Sequence, residues 1–463
     1  MIAPLIDSER PKRCLVTAGE WSIFNRSGLC TIVTIVATAG GCDRPTLDDI
    51  TTEAAPTVTI RDSAGIEIVE NHAPEYAPDE FWTIDPVPEF VLGGANTLGE
   101  PAHDSAQLIW RVKGLARVED GRVAVLSSGN KHLMLFEPSG ELSVIMGGPG
   151  EGPGEFIHPL AFQYLPPDTL VVWDFFLTSI GYFNTDGTLL KERSLDHGRM
   201  WEHGVNAELL RLPLPDGSFL AAVLDSTVDD SPDDCSGLTV RGVSFAMMGS
   251  PLRVEGVTVP GEELLRIDDA YRAHSFGCAQ YYSNQLAVGG DPPLVYISND
   301  HSEIHQRSLD GTLSRIIRRT TGPPPVTRRA WRAESEHRAR NNEMWGRSPR
   351  TEDDEPVPRR EEYPAVEAIM ADVEGYLWVK EWSASESGIP DQWSVFSPEG
   401  RWLGTLPFPP NPASPDLDMC GKSGPPCWVG KDYFVIVRED ELGVERVEGY
   451  RIRRDRTGGS VPP

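Results

Sequence analysis

Short apolar runs recur along this chain, each closed by a turn built on glycine. Arg122-Val-Ala-Val-Leu126 and His132-Leu-Met-Leu-Phe136 read as two strands, the turn Glu137-Pro-Ser-Gly140 follows, and Leu142–Met146 reads as a third. The same order returns about 47 residues on, as Thr169–Trp173, Ile180–Phe183, the turn Asn184-Thr-Asp-Gly187 and Leu189–Arg193. Between the two units lies Gly147-Gly-Pro-Gly-Glu-Gly-Pro-Gly-Glu-Phe156. A fixed period of this size in an all-β pattern predicts the blades of a propeller.

Three further units extend the series. Leu209–Leu212, Phe219–Val223 and a stretch near 238–247 surround the turn at Gly217. Leu294–Ile297, Ile304–Arg307 and Leu313–Ile317 carry a turn at Gly311, and Gly375–Val379, Trp393–Phe396 and Trp402–Gly404 a turn at Gly400. The C-terminus offers only Tyr433–Val437 and Val447–Ile452, half a blade, so the stretch 59–93 is expected to supply the other half. Closing the ring with strands from both ends removes a free sheet edge. The pattern therefore predicts an all-β, six-bladed β-propeller over 59–455, with a partly helical insertion at 320–363 between blades four and five and a disordered tail at 456–463.

Asp372-Val-Glu-Gly-Tyr-Leu-Trp-Val379, Phe396-Ser-Pro-Glu-Gly400 and the Gly-rich run 147–156 resemble the NHL-type six-bladed propellers of bacterial envelope lipoproteins. The resemblance implies binding or scaffolding rather than a defined chemistry. It also admits a rival, the lactonase and lyase type of propeller enzyme, in which Glu, Asp and Asn hold a metal at the central channel.

The N-terminus suggests an address. Leu29–Ala39 is apolar for eleven residues, too short for a bilayer, which needs about 20. With Arg26 before it and Ala39-Gly40-Gly41-Cys42 behind, it fits a secretory signal over 1–41. The small residues before Cys42 resemble a lipobox, which implies a lipid on the Cys42 sulfur; residues 42–58 then read as a flexible tether. The expected location is the cell envelope, reached by export, with membrane contact through the lipid alone.

Composition narrows the partners. The net charge of −28, with 70 acidic against 42 basic side chains, repels nucleic acid and excludes it as a partner. Outside the leader and Cys42 the cysteines are Cys235, Cys278, Cys420 and Cys427, an even set in an exported chain that permits two disulfides. Cys420 and Cys427 flank a short loop that a bridge would close, and Cys235 and Cys278 then pair by elimination.

Candidate chemistry is sparse. The Gly-rich run lacks the Lys and Ser/Thr of a phosphate loop, and Pro149 and Pro153 remove two donors. An extended Asp300–His305 puts His301, Glu303 and His305 on one face, where zinc would be sought, and Asp225, Asp229, Asp230, Asp233 and Asp234 form an acidic loop where calcium would be sought. No cofactor is expected. Because strands alternate in direction, the second-to-third-strand connections and the connections between blades emerge on one side. That side gathers Lys131, Phe175, Phe176, Asp225, His301 and Trp382, while the tight turns at Gly140, Gly187, Gly311 and Gly400 occupy the other. The first side is expected to bind an envelope protein or peptide, in a chain acting as a monomer.

Overall fold

A computed structural model describes residues 56–93, 109–194, 286–298, 303–322, 366–381, 392–409, 427–439 and 444–454. It adds the backbone of four strands between 205 and 273 and a few positions between 325 and 332. By compactness the chain divides into Met1–Ala54 and Ala55–Pro463, and every described residue belongs to the second unit.

The described residues form almost nothing but strands, arranged in antiparallel sheets whose members follow one another in sequence. The N-terminal part contributes β1 (Val58–Ser63), β2 (Ile66–Asn71), β3 (Thr83–Ile84) and β4 (Phe90–Leu92). One sheet is β5 (Val112–Arg117), β6 (Val123–Ser127), β7 (His132–Phe136) and β8 (Leu142–Gly147). The next is β9 (Pro159–Leu165), β10 (Thr169–Asp174), β11 (Ser179–Asn184) and β12 (Leu189–Ser194). A third is β13 (Val205–Pro213), β14 (Phe219–Leu224), β15 (Arg241–Met248) and β16 (Leu264–Ala273). Then come β17 (Leu286–Gly289), β18 (Leu294–Ser298), β19 (Glu303–Arg307) and β20 (Leu313–Arg319), followed by β21 (Val366–Ala371), β22 (Leu377–Glu381), β23 (Gln392–Phe396) and β24 (Trp402–Pro407). Last are β25 (Cys427–Val429), β26 (Tyr433–Glu439) and β27 (Glu445–Arg453).

The first strands of successive sheets lie side by side: β5 by β9, β9 by β13, β17 by β21, β21 by β25, and β25 back beside β5. That is a β-propeller arrangement, with first strands inside and fourth strands outside. Burial follows the same order. Middle strands such as β6 and β7 are covered on both faces and read as near-continuous apolar runs, whereas the outer β8 and β12 alternate or lie exposed. The core consists of layers between sheets. One joins Leu126, Leu133 and Met146 to Phe156, Leu170 and Phe183, and another joins Phe90, Val435 and Val447 to Leu115, Val125 and Met134.

The tight turns tie neighbours together. Gly140, Gly187, Gly311 and Gly400 have φ of 89°, 94°, 82° and 82°, the left-handed region glycine reaches without a Cβ penalty. Beside each turn the register between the third and fourth strands shifts, at Leu135/Phe136, Tyr182/Phe183, Gln306/Arg307 and Val395/Phe396 of the third strands. A Cβ on Gly187 would stand 2.7 Å from Val144 of β8, and one on Gly400 2.7 Å from Ile317 of β20. These turns thus pack on the outer strand of the preceding sheet.

The N-terminal stretch departs from expectation. It was read as one half-blade completing the C-terminal pair, but it serves two sheets. Only β3 and β4 join β27, with Val91 opposite Glu448. The hairpin β1–β2 instead extends the β17–β20 sheet, β2 running parallel to β20. The reason lies in Asn71, buried at the end of β2. Its Nδ2 donates to the Gly400 and Arg318 carbonyls at 3.0 and 3.3 Å, and its Oδ1 accepts from Trp402 N at 2.8 Å. The C-terminal sheet holds a strand of its own, β25, in the place left for N-terminal chain. Of the insertion at 320–363, Arg328, Arg329 and Arg332 have helical backbone and most of the rest lies outside the described residues.

Candidate functional site: the loop face of the first two sheets

In the first two sheets, entry to the inner strand is fastened to the second-to-third-strand connection. In the first sheet Gly129 N donates to Trp110 O at 2.9 Å and Ser128 N to Arg111 O at 3.1 Å, while the Ser127 hydroxyl accepts from Trp110 N at 3.0 Å. In the second sheet the corresponding residue is Asp174, only 1% exposed. Its Oδ2 accepts from Ile157 N and His158 N at 2.8 and 2.7 Å, and its Oδ1 from Leu177 N at 3.0 Å. A buried carboxylate that accepts from three backbone donors is costly to remove, because its loss would leave those N–H groups unpaired. It fixes the loop that carries the aromatic pair.

On that frame stand the aromatics. Phe175 and Phe176 lie 5.3 Å apart between ring centres, and His158 lies 6.4 and 5.2 Å from them. Phe175 is half-buried, but Phe176 is 65% exposed. In the first sheet Trp110 is 51% exposed, with the Arg111 guanidinium 4.7 Å over its ring. The indole also packs on Gly129, where a Cβ would stand 2.5 Å from the ring. Two large aromatics are thus held in water by rigid backbone, which is costly unless something covers them.

Lys131 sits in the β6–β7 connection with φ of 61°, and its carbonyl accepts from Gly148 N at 3.0 Å. The structure therefore brings Lys131 beside the Gly-rich loop and Phe175 beside Phe176. Asp225, His301 and Trp382 lie outside the described residues, as do Cys42, Cys235, Cys278 and Cys420. Cys427 opens β25 and is half-buried. Sequence reasoning missed Trp110, Arg111, His158 and Asp174. The available signals were the unusual Trp110-Arg-Val-Lys113 entry to a strand and an aspartate directly before two phenylalanines.

The Gly-rich loop is folded on itself. Phe156 N donates to Gly148 O at 2.8 Å, Gly150 N to Phe156 O at 3.2 Å, and Gly152 N to Glu155 Oε2 at 2.7 Å. Phe156 is 2% exposed in the layer between the first two sheets, its ring lying where a Cβ on Gly147 would clash at 2.3 Å. The glycines let a phenylalanine plug the core, and these N–H groups are spent internally rather than on a phosphate.

The charged groups near the mouth are mixed. Glu445 Oε2 accepts from Val112 N at 2.8 Å. Burial pushes its pKa up, Glu439 adds to this, and Lys113 and Arg111 oppose it. Burial holds His132 below its ordinary value. Of the zinc candidates, Glu303 pairs with Arg318 at 3.2 Å and with His305 at 3.4 Å, on a third strand well away from the inner ring. No group of three metal-ligating side chains occurs among the described residues. Of the described inner-strand side chains on β5, β9, β17, β21 and β25, Glu367 is the single carboxylate, and Lys380 stands 3.6 Å from it.

No protein-family model matches the chain, and no curated protein matches it. Solved structures do. A Bacteroides fragilis protein described as exported is 14% identical with a TM-score of 0.44, covering 83% of this chain and 98% of its own. A DUF4221-family member from Bacteroides vulgatus is 10% identical with a TM-score of 0.43, covering 81% and 100%. The PQQ-bound aldose sugar dehydrogenase of Streptomyces coelicolor is 13% identical with a TM-score of 0.39, covering 81% and 100%. These likenesses are too distant to carry a functional reading over to this chain.

Proposed function

We propose that this chain is an exported, lipid-anchored six-bladed propeller that binds a protein or peptide partner in the cell envelope through its loop face. The observation that carries the reading is Phe176, a large exposed aromatic on a loop pinned by the Asp174 carboxylate. Rigid aromatics give contact area at little entropic cost on binding. The metal-enzyme alternative needs several inward carboxylates or amides. Among the described inner-strand side chains the carboxylates and amides are Glu367, with Lys380 3.6 Å from it, and Gln163.

The anchor reading rests on Ala39-Gly40-Gly41-Cys42. Metabolic labelling with palmitate should tag the wild type and not Cys42→Ala; equal labelling would remove the anchor from the account. A Cys420–Cys427 bridge, with Cys235–Cys278 as the second pair, belongs to the same exported state. It is supported by Cys427 being disulfide-bonded to a partner outside the described residues. For the face, Phe176→Ala and Trp382→Ala should weaken partner capture from envelope extracts while leaving the melting temperature nearly unchanged. Capture lost only in proportion to unfolding would make both residues core.

A further inference from the structure

Many of the described cations in this acidic chain are neutralised by a carboxylate. Arg315 pairs with Glu67, Arg318 with Glu70 and Glu303, Arg401 with Glu75, and Arg451 with Glu89. Three cations at the loop face of the first sheet have no such partner among the described residues, and neither do Arg117 and Lys191, each of which lies over a tyrosine ring. Arg111 and Lys113 are exposed and Lys131 is half-buried, and no carboxylate of the described residues pairs with any of them. Glu445 lies within electrostatic reach of Arg111 and Lys113, yet one of its oxygens is held by Val112 N and it forms an ion pair with neither.

Their positions are built rather than incidental. Lys113 is the extra residue of a bulge between Val112 and Gly114 on the inner strand, a device that re-aims a side chain. Arg111 is stacked on Trp110, which packs on Gly129. Lys131 holds a left-handed backbone conformation in the adjoining connection. In a chain carrying 70 acidic and 42 basic side chains, these three stand beside an exposed tryptophan with no carboxylate partner among the described residues.

Resting on the loop-face reading above, we propose that Trp110, Arg111, Lys113 and Lys131 recognise an acidic peptide segment that also carries an aromatic or aliphatic side chain. The indole and guanidinium supply a pre-stacked platform for that side chain, and the three cations meet the carboxylates. A polypeptide is favoured because one segment of it carries both carboxylates for the three cations and an apolar side chain for the indole, which is 51% exposed.

The test is selection of a random peptide library on the full chain, followed by binding isotherms of the selected peptides on variants. The expected result is enrichment of Asp/Glu together with Trp, Phe or Leu. Affinity should fall about tenfold or more for Lys113→Glu/Lys131→Glu and for Trp110→Ala, and should weaken steeply with salt. Melting curves matching wild type confirm that the variants fold. Selected peptides without acidic enrichment, or binding undiminished by the double charge reversal, overturn the proposal. If Phe176→Ala weakens such peptides while the charge reversal does not, the loop face stands and only the acidic partner falls. If no variant on this face matters, or no peptide is selected, both readings fall. Alginate binding that depends on Lys113 and Lys131, with no peptide doing so, would make the occupant an anionic sugar and overturn the peptide proposal.

Discussion

Tyr164 shows how a single side chain sets a testable property of the fold. Its hydroxyl donates to Pro167 O at 2.6 Å and accepts from Glu119 N at 3.2 Å, and burial pushes its pKa up to about 12. Tyr296, buried in the layer between β18 and its neighbours, is likewise raised to about 12 by burial. Each pKa in the folded chain thus lies above its ordinary value of 10.0. Above that pH the unfolded chain loses protons the folded chain retains, so stability falls as pH rises toward 12. The stabilisation is complete below pH 10 and is lost through the interval to the folded pKa, on the order of 2–3 kcal/mol per tyrosine. Urea midpoints measured at pH 9 and pH 11.5 should show the drop, and Tyr164→Phe should flatten the slope. An unchanged slope in that variant would mean Tyr164 titrates normally. Neither tyrosine stood out in the sequence, because burial of one hydroxyl between two sheets is a tertiary fact.

At the scale of elements the turns carry the sharpest expectation. Gly187 combines φ of 94° with a Cβ position 2.7 Å from Val144, so Gly187→Ala meets both backbone strain and a clash with the preceding sheet. The expected loss is about 1–3 kcal/mol in chemical denaturation, with partner binding retained under folding conditions. Loss of binding without loss of stability would place function on the turn side instead. These turns were legible in the sequence because Asp-Gly and Glu-Gly steps follow apolar runs at fixed spacing, and most strands fall within two residues of where the pattern puts them. The N-terminal hairpin was not. Ile66–Val69 reads as a strand wherever it pairs, and its destination is decided by Asn71 bonding to Gly400 and Trp402, more than 300 residues away. Trp110 was missed for a related reason: its exposure and support depend on Gly129, which period and polarity do not reveal.

For the whole molecule, the two sides of the ring are unequal. One holds short turns whose glycines pack on neighbouring sheets. The other holds longer connections with Trp110, Arg111, Lys131 and Phe176, pinned by buried Ser127 and Asp174. Sheet architecture was predictable from periodicity, since a repeat reports its own fold. Which connections stay uncovered was predictable only in part, since that depends on how each loop closes. Phe156 and Phe176, both on the loop side, end as core plug and exposed aromatic. Recognition of a partner on the loop side can be read out by photo-crosslinking in intact cells. A photoreactive residue would be placed in turn at Lys131, Phe176, Ser139 and Asp186. Discrete covalent adducts are expected from positions 131 and 176 and none from 139 and 186, which lie on the turns at Gly140 and Gly187. Adducts from the turn positions alone, or equally from both sides, would contradict loop-side recognition.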